Sequence, residues 1–310
     1  MTQSFAPDHS TLLDHRRPRR GHAVSRRPHA GTGGLPCVAG YHLLGKVGEG
    51  RLATVYLAQD IDGAEVALKM LRPGHADKAA RAAAFTREFG IPAAIQSRHV
   101  VKVFEQLAVD GDCAIAMEYL GGGDVGRLIA GGLVPDAALV LARQAALALD
   151  ALHLRGFAHG DVKPANLMLR TSGEVVLVDF GTARACDAAE PAAPAGVVVG
   201  TPRYAAPERS QLGTVAPAAD VYSLGVVLFE MLCGRPPFPG QTLLEVLSQH
   251  LMAPVPRLPA ALARFQPLVD AMLCKQPHDR LQDGRAVLGQ IELLTGAPAH
   301  PAPMGAFASR

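Results

Sequence analysis

The hydrophobic pattern of the chain changes its period once, and this change limits the folds that the chain can adopt. In the first third, short apolar runs alternate with turn residues in five segments: YHLLGKVGEG, ATVYLAQD, AEVALKML, VVKVFEQLAV and CAIAMEYL. These runs predict five strands, with one helix around Ala79 to Gln96. From Pro135 onward the apolar residues recur at helical spacing, and the segment DVYSLGVVLFEMLCG is apolar nearly all round, as in a buried helix.

The two parts predict an α+β, bilobal fold. Residues 41–119 would form a small β-rich lobe, and residues 120–295 a larger, mostly helical lobe. The Gly-rich segment EYLGGG, near Glu118 to Gly121, would join them. Because a cleft between two lobes is a common ligand site, we expect the functional residues to face that cleft.

Both ends of the sequence lack this periodicity. Residues 1–40 carry six arginines among Pro, Gly and Ser and predict a disordered basic tail, and the Pro- and Ala-rich residues 296–310 predict a flexible one. The basic tail is either a docking arm for an anionic surface or, more simply, a solvated leader. Nucleic-acid binding by the tail would weaken steeply with salt, and no other feature of the sequence supports it.

Composition favours a soluble globular protein. Of the 310 residues, 49% are apolar and 19% are charged, and the net charge of +2 gives no general attraction to nucleic acid or membranes. The longest apolar stretch, Val221 to Cys233, is shorter than the roughly 20 residues that span a bilayer, and the N-terminal segment lacks the apolar run of a signal peptide. Five scattered cysteines without a C-x-x-C pair are typical of reduced thiols, so we expect a cytoplasmic protein.

The segment HGDVKPANLML, followed by EVVLVDFG, carries the strongest chemical signal. One loop after a helix holds the carboxylate of Asp161, the ammonium of Lys163 and the amide of Asn166, and Asp179 follows an apolar strand. Together they provide a base, a cation and two oxygen ligands of the kind that Mg²⁺ prefers. A purely structural role does not explain this combination.

Two weaker signals precede it in the chain. Gly48 and Gly50, between two predicted strands, would let backbone N–H groups approach phosphate oxygens, although glycines are also common in hairpins. Lys69 is the lone cation of an apolar strand, so it either reaches solvent or needs an anion. Glu88, on the following helix, is the candidate partner for Lys69.

In order, these motifs resemble those of the Hanks-type (eukaryotic-like) serine/threonine protein kinases, particularly the bacterial ones. The resemblance covers roughly Tyr41 to Leu294. It includes the Gly-rich loop, VALK, the helix Glu, HGD in place of HRD, and DFG, and the later landmarks GTPRYAAPE, DVYSLGVVLFEMLCGRPPF and QPHDR. The resemblance implies transfer of the γ-phosphoryl group of ATP to Ser or Thr hydroxyls of protein substrates in a signalling role, with Mg²⁺, or alternatively Mn²⁺, as the metal.

The resemblance also implies roles for individual residues. Asp161 would accept the hydroxyl proton, Lys163 would stabilise the transferring group, and Lys69, paired with Glu88, would contact the α- and β-phosphates. The metal ligands would be Asn166 and Asp179. The nucleotide would contact Val47, Gly48, Glu49, Gly50, Val55, Ala67, Lys69, Met117, Glu118, Leu120, Asp124 and Met168. The family's scaffold groups would be Asp220 and the pair of Glu208 with Arg280.

Two positions depart from the family pattern. Gly160 replaces the arginine that receives an activation-loop phosphate, and residues 183–200 contain no Ser, Thr or Tyr. We therefore expect activity that does not depend on phosphorylation of that loop. Pro92 lies four residues after Glu88, which predicts a kinked or shortened helix and a mobile Lys69–Glu88 pair.

Two other functions fit part of the pattern. Small-molecule kinases of the aminoglycoside or choline type also have an HGD loop followed by Asn, but DFG, APE and the GTPRYAAPE segment belong to the protein-kinase arrangement. A pseudokinase scaffold that binds partners without turnover would agree with the unusual Gly160 and Pro92. Such scaffolds typically lose the Lys, the base or the metal Asp, and this chain keeps all three.

Overall fold

The computed structural model describes residues 37–50, 53–72, 78–109, 112–186, 201–212 and 215–296. Most of both predicted tails, and residues 187–200 of the loop that lacks hydroxyl groups, lie outside the described residues. The bilobal α+β organisation predicted from the sequence is present.

The N-terminal lobe is built on one antiparallel sheet with the strand order β1-β2-β3-β4-β6-β5. Its strands are β1 (Cys37–Val38), β2 (Tyr41–Glu49), β3 (Ala53–Gln59), β4 (Glu65–Leu71), β5 (Val103–Val109) and β6 (Asp112–Glu118). The five predicted strands are therefore confirmed, and the two-residue β1 extends the sheet at its edge. Phe85 and Ile115 pack between this sheet and the helix of the lobe.

That helix, α1 (Lys78–Ala93), ends directly after Pro92 and before the predicted Gln96, in agreement with the shortened helix expected from this proline. The helix runs unbroken past Glu88, and Pro92 is its second-last residue. Proline removes the N–H that would bond the carbonyl of Glu88, but at this position the helix is already ending. Because the helix stays intact through Glu88, the Lys69–Glu88 pair forms. The mobility of this pair stays a prediction.

The C-terminal lobe is mostly helical. Its helices are α2 (Val125–Gly131), α3 (Pro135–His153), α4 (Pro207–Leu212), α5 (Pro217–Cys233), α6 (Leu243–Met252), α7 (Gln266–Leu273) and α8 (Gly284–Thr295). Its short strands are β7 (Phe157–Ala158), β8 (Leu167–Leu169), β9 (Val175–Leu177) and β10 (Arg184–Ala185), paired as β7 with β10 and β8 with β9. Short 3₁₀ turns lie at Pro164–Asn166, Phe180–Thr182, Pro202–Tyr204, Ala260–Phe265 and Pro277–Asp279.

The core of this lobe forms around α5, which confirms the predicted buried helix. Every residue from Ala218 to Phe229 is buried, and α5 packs against α3 and α7. The two buried polar side chains in this run, Asp220 and Ser223, both bind backbone groups of other segments. Helix α5 is therefore held in the core and supports the two segments that contain His159 and Tyr204. No helix among the described residues is both long and apolar enough to cross a membrane.

Backbone pairing holds the segment that joins the lobes close to β8. The N–H of Gly122 donates to the carbonyl of Leu169 over 2.9 Å, and the N–H of Leu169 donates to the carbonyl of Gly123 over 2.9 Å. A Cβ atom at position 122 would lie 2.5 Å from the carbonyl oxygen of Arg170, so only glycine fits. The Arg170 guanidinium also binds both carboxylate oxygens of Glu118, at 2.9 and 3.0 Å. These contacts fix the back wall of the cleft.

Candidate active site

The loop that follows β7 is held from below by Asp220, at the start of α5. Its Oδ2 atom accepts a hydrogen bond from the N–H of His159 over 2.6 Å, and its Oδ1 atom accepts one from the N–H of Gly160 over 2.7 Å. Burial alone would raise the pKa of Asp220, but the hydrogen bonds from His153 and from the loop outweigh it and lower this pKa. A buried, ionised carboxylate therefore anchors the loop, as expected of a scaffold group.

Two hydrogen bonds, one with Gly284 in α8 and one with Asp220, fix the tautomer of His153 at the end of α3. The N–H of Gly284 donates to Nδ1 of His153 over 3.1 Å, so this nitrogen is an acceptor. The Nε2–H group then donates to Asp220 Oδ2 over 3.1 Å. His153 was not singled out from the sequence, because a histidine at the end of a helix gives no signal of its partners.

The carboxylate of Asp161 is held by three neighbours. Its Oδ1 atom accepts a hydrogen bond from the backbone N–H of Thr201 over 3.0 Å, and its Oδ2 atom pairs with Lys163 Nζ. Asn166 Nδ2 donates to the Asp161 carbonyl over 2.8 Å and to Oδ2 over 3.3 Å. The three residues of the HGDVKPAN segment are thus brought together as the sequence predicted, and Thr201 joins them from a distant segment.

Lys163 also reaches Thr201, since its Nζ donates to Oγ1 over 3.0 Å. The carboxylate, the ammonium and the hydroxyl therefore form one connected group. The Asp161 side chain is only 9% exposed and that of Lys163 is 22% exposed, so bulk water screens this group weakly. A substrate hydroxyl that approached Asp161 would meet an acceptor and a cation side by side.

Across the cleft, Lys69 bridges two carboxylates. Its Nζ pairs with Glu88 Oε1 and lies 3.2 Å from Asp179 Oδ1. Burial alone would lower the pKa of Lys69, but the attraction of both carboxylates outweighs burial and raises it. Burial would likewise raise the pKa of Asp179, but the nearby cations, Lys69 first, outweigh it and lower that pKa. The ammonium and the Asp179 carboxylate are therefore both charged at neutral pH.

Asp179 has a strained backbone, with φ at +66°, in a region that residues other than glycine rarely adopt. The strain costs on the order of 1 kcal/mol and is typical of functional positions. It turns the chain from β9 into the Phe180–Thr182 turn, where Phe180 packs edge-on against the His159 ring at 5.0 Å. His159 in turn donates through Nε2 to the carbonyl of Val178 over 3.0 Å, so the two loops are locked together.

Asn166 and Asp179 both present oxygen atoms that could hold a divalent metal. Asn166 makes its side-chain contacts through Nδ2, so its Oδ1 atom points away from Asp161. Asp179 is ionised and binds Lys69 through Oδ1 only. One amide oxygen and one carboxylate form the hard donor set that suits Mg²⁺. The described side chains thus fit a divalent cation.

Most of the predicted nucleotide residues lie on the strands β2, β3, β4 and β6 or in the joining segment. Val55 is paired with Gly48 on one side and with Lys69 on the other, and Ala67 is paired with Met117. Val47 and Glu49 are the neighbours of Gly48 in β2, and Gly50 follows directly after that strand. Leu120 is buried in the core of the C-terminal lobe and lies between Glu118 and the glycines that pair with β8.

Two of these residues have a structural role of their own. Asp124 caps α2, since its Oδ1 atom accepts a hydrogen bond from the N–H of Arg127 over 2.9 Å. Met168 in β8 forms an isolated bridge with Asp124. Capping of α2 is sufficient to explain an aspartate at position 124, and no ligand is needed to explain it.

The predicted scaffold pair is present and joins Glu208, in α4, to Arg280, after the Pro277–Asp279 turn. Glu208 receives two hydrogen bonds from the guanidinium of Arg280, at 2.8 and 3.1 Å, and both side chains are buried. The next residue, Arg209, lies against Gly160 and was not predicted from the sequence. Its place at the site depends on the packing of α4 under the loop, which no local motif encodes.

Comparison with known proteins agrees with this geometry. The family model of the protein kinase domain matches residues 41–288. The chain is 35% identical over 272 residues to the serine/threonine-protein kinase drp72 of Corynebacterium efficiens, with 85% of this chain and 52% of the relative covered. It is also 35% identical to PknA of Corynebacterium glutamicum, with 86% and 58% covered, and 34% identical to PknD of Mycobacterium tuberculosis, with 84% and 41% covered.

The chain thus spans about half the length of the curated relatives that it matches. The matched region includes all of the predicted site residues. With its two lobes, the acid–lysine–asparagine loop and the Lys69–Glu88 pair, the chain belongs to the protein kinase family, in its bacterial Hanks-type serine/threonine branch.

Proposed function

We propose that the protein transfers the γ-phosphoryl group of ATP to Ser or Thr hydroxyls of protein substrates. The observation that carries this proposal is the arrangement around Asp161, whose carboxylate is held by Thr201 and Lys163. This group lies beside Asn166, and Asp179, in the adjoining loop, pairs with Lys69 of the N-terminal lobe. Phosphoryl transfer depends on positioning and on charge stabilisation, and these residues supply both.

Asp161 is the proposed catalytic base. The hydrogen bond from the Thr201 N–H fixes the rotamer of the carboxylate, which leaves Oδ2 beside Lys163 for the incoming hydroxyl. A base must lie within hydrogen-bond reach of the proton that it accepts, and such a base contributes roughly 10²- to 10⁴-fold to the rate. Lys163 then offsets the negative charge that develops on the transferring group.

Lys69 is the proposed contact for the α- and β-phosphates of ATP. Glu88 holds its ammonium in the cleft, and the raised pKa of Lys69 keeps it charged. Gly48 and Gly50 would cover the phosphates. Neither glycine has a positive φ, and a Cβ at position 48 would make only an ordinary contact with Val55, at 3.5 Å. The described part of the chain does not itself require glycine at position 48, which supports a close approach by a ligand.

The adenine and the ribose would lie against the remaining cleft residues. The proposed contacts are Val47, Glu49, Val55, Ala67, Met117, Glu118, Leu120, Asp124 and Met168. Glu118 and Leu120 would bind through their backbone groups, since the Glu118 carboxylate is engaged by Arg170. Asp124 would bind the ribose only with the carboxylate that also caps α2.

Asn166 and Asp179 are the proposed ligands of the divalent metal, with Mg²⁺, or alternatively Mn²⁺, as the metal. A donor set of one carboxylate and one amide oxygen, completed by phosphate oxygens, matches the preference of Mg²⁺ for hard ligands. When bound, the metal supplies neutralisation of the phosphate charge. Lys69 keeps Asp179 ionised and oriented toward the cleft.

Transfer to protein rather than to a small molecule is supported by the segment between Thr201 and Glu208. The hydroxyl group of Thr201 is bound to Lys163, and the Arg280 pair fixes Glu208. This segment therefore forms a rigid platform at the mouth of the site. Neither a small-molecule kinase nor a scaffold without turnover has a comparable observation in its favour.

The test is a transfer assay with labelled ATP, Mg²⁺ and a general acceptor protein, with choline and an aminoglycoside as competing acceptors. The purified chain is compared with Asp161→Asn. We expect label on the acceptor protein, in phosphoserine and phosphothreonine, and none above background with the variant. Label on a small acceptor alone, in phosphotyrosine alone, or equally with both proteins would contradict the proposal.

A further inference from the structure

Gly160 lies where a side chain cannot be accommodated. Its φ is +78°, and an added Cβ would lie 3.0 Å from Val215 Cγ1, 3.1 Å from Arg209 Nη1 and 3.3 Å from the carbonyl oxygen of Thr182. Contacts this short force the neighbours to move, and the positive φ adds strain for any other residue. The volume beside the loop is therefore already filled, in part by a guanidinium from another segment.

That guanidinium belongs to Arg209 in α4, which is only 8% exposed. Burial lowers the pKa of Arg209, while the carboxylates of Asp220 and Asp161 act in the opposite direction. A buried cation is tolerated when anions lie close to it, and here Asp220 and Asp161 are the carboxylates whose attraction most opposes the effect of burial. One is the anchor of the loop backbone, and the other is the proposed base.

The family resemblance places an arginine at position 160, directly before the base. In this chain the position is glycine, and an arginine from α4 comes within 3.1 Å of the point where its side chain would begin. A guanidinium is thus supplied beside position 160 from the segment that also carries Glu208. Because α4 is fixed by the Glu208–Arg280 pair, no phosphate is needed to hold this arginine.

We propose that Arg209 is a positioning residue for phosphoryl transfer, which replaces the loop arginine missing at position 160 and holds the Asp161 loop in its active arrangement. This inference rests on the proposed function. It assigns the effect to the positive charge of Arg209 acting on Asp161 and Asp220. The competing explanation is that the side chain only fills volume under Gly160.

A pair of variants distinguishes an effect of the positive charge of Arg209 from an effect of its side-chain volume. Arg209→Lys keeps the charge and part of the length, and Arg209→Met keeps an unbranched stem without a charge. Arg257→Met is the matched control, because it removes a charge from a side chain that is 84% exposed on a loop after α6. For each protein, kcat, the KM for ATP and the thermal unfolding temperature are measured.

Arg209→Met is expected to lower kcat about tenfold or more with the KM for ATP within about twofold, because only the loop with the base is affected. Arg209→Lys is expected to keep several times the kcat of Arg209→Met. Arg257→Met is expected to match the wild type. If Arg209→Met does not fold, Arg209→Lys decides: a folded Lys variant well above the Asp161→Asn background supports the inference.

Equal kcat values for the folded Lys and Met variants, or a wild-type kcat in Arg209→Met, would overturn the inference. Unfolding of both variants would also overturn it, because Arg209 would then be part of the scaffold alone. The wild type is assayed first against Asp161→Asn. If these two transfer equal label, the proposed function fails before any Arg209 variant is compared, so the two failures are distinct.

Discussion

The backbone N–H of Thr201 donates a hydrogen bond to Oδ1 of Asp161 over 3.0 Å, across 40 positions of the sequence. The hydroxyl group of the same threonine accepts a hydrogen bond from Lys163 over 3.0 Å. The end of the activation segment is thereby tied to the proposed base and its cation. A change in the position of Thr201 would therefore also change the position of the Asp161 carboxylate.

Replacement of Thr201 tests this tie. Thr201→Val keeps the backbone N–H but removes the bond to Lys163, so kcat is expected to fall about tenfold, the value of one hydrogen bond to a charged group. The KM for ATP is expected to stay within about twofold, because the nucleotide contacts are unchanged. Steady-state kinetics measure both, with Thr201→Ser as the control that keeps the hydroxyl. Full kcat in Thr201→Val would show that the bond to Lys163 has no role.

The Lys69–Glu88 pair is expected to affect both stability and ATP use. Glu88→Gln leaves a buried ammonium with Asp179 as its remaining carboxylate partner among the described residues, which costs roughly 3 kcal/mol of unfolding free energy. It is also expected to lower kcat/KM for ATP roughly ten- to hundredfold. Denaturant unfolding and initial rates measure these effects.

The double variant Lys69→Met with Glu88→Leu is the control for the pair. Two apolar side chains remove the desolvation cost, so we expect much of the lost stability to return, while activity is lost because Lys69 is absent. A double variant that is no more stable than Glu88→Gln would contradict this account of the pair.

Activity is expected to be independent of activation-loop phosphorylation. Residues 183–200 contain no hydroxyl side chain, and the hydroxyl groups of Thr182 and Thr201 are engaged by the His159 carbonyl and by Lys163. Phosphatase treatment should therefore leave kcat within about twofold, because no charge-assisted clamp is lost. Mass spectrometry before and after treatment checks the phosphorylation state. A phosphate on either threonine that is needed for activity would refute this expectation.

His250 predicts a loss of stability in acid. The ring is buried, its Nδ1 accepts from the Tyr222 hydroxyl and its Nε2 donates to the Arg203 carbonyl, and burial lowers its pKa to about 4. Between about pH 6.5 and 4 the unfolded chain binds a proton at this site that the folded chain does not. Stability therefore falls as the pH decreases through this range, by at most about 3 kcal/mol for this group.

Unfolding of the wild type and of His250→Gln at pH 7, 6, 5 and 4 isolates the contribution of this group. The Gln variant loses stability at pH 7 but should lose less on acidification. The difference between the two proteins should therefore shrink toward pH 4. A constant difference would show that His250 is not the titrating group.

Much of the site was predictable because its residues lie in short segments with a definite order. Asp161, Lys163 and Asn166 lie within six consecutive positions, so their contacts follow from the loop and the one turn of 3₁₀ helix that comes after it. The partner of Lys69 was also predictable, since a buried ammonium needs a carboxylate and Glu88 is on the next helix. The short apolar runs of the strands and the apolar sequence of α5 were sufficient to predict the two lobes.

Other features depend on packing between distant segments. The sequence suggested that Pro92 disturbs the helix around Glu88, but its effect depends on its distance from the helix end, and local propensity does not give that distance. For the same reason the role of Arg209 was not predicted from the sequence. Arg209 approaches Gly160 only because α4 packs against the loop. The absence of an arginine at position 160 was visible in the sequence, whereas its replacement from position 209 was visible only in three dimensions.

The most direct test of the central claim is the rate of phosphoryl transfer by Asp161→Asn at saturating ATP and acceptor protein, with ATP affinity measured separately by titration. We expect the variant to bind ATP within about threefold of the wild type, while kcat falls roughly 10²- to 10⁴-fold, the range for loss of a general base. Transfer at the wild-type rate by a folded Asp161→Asn protein would contradict the assignment of Asp161 as the base.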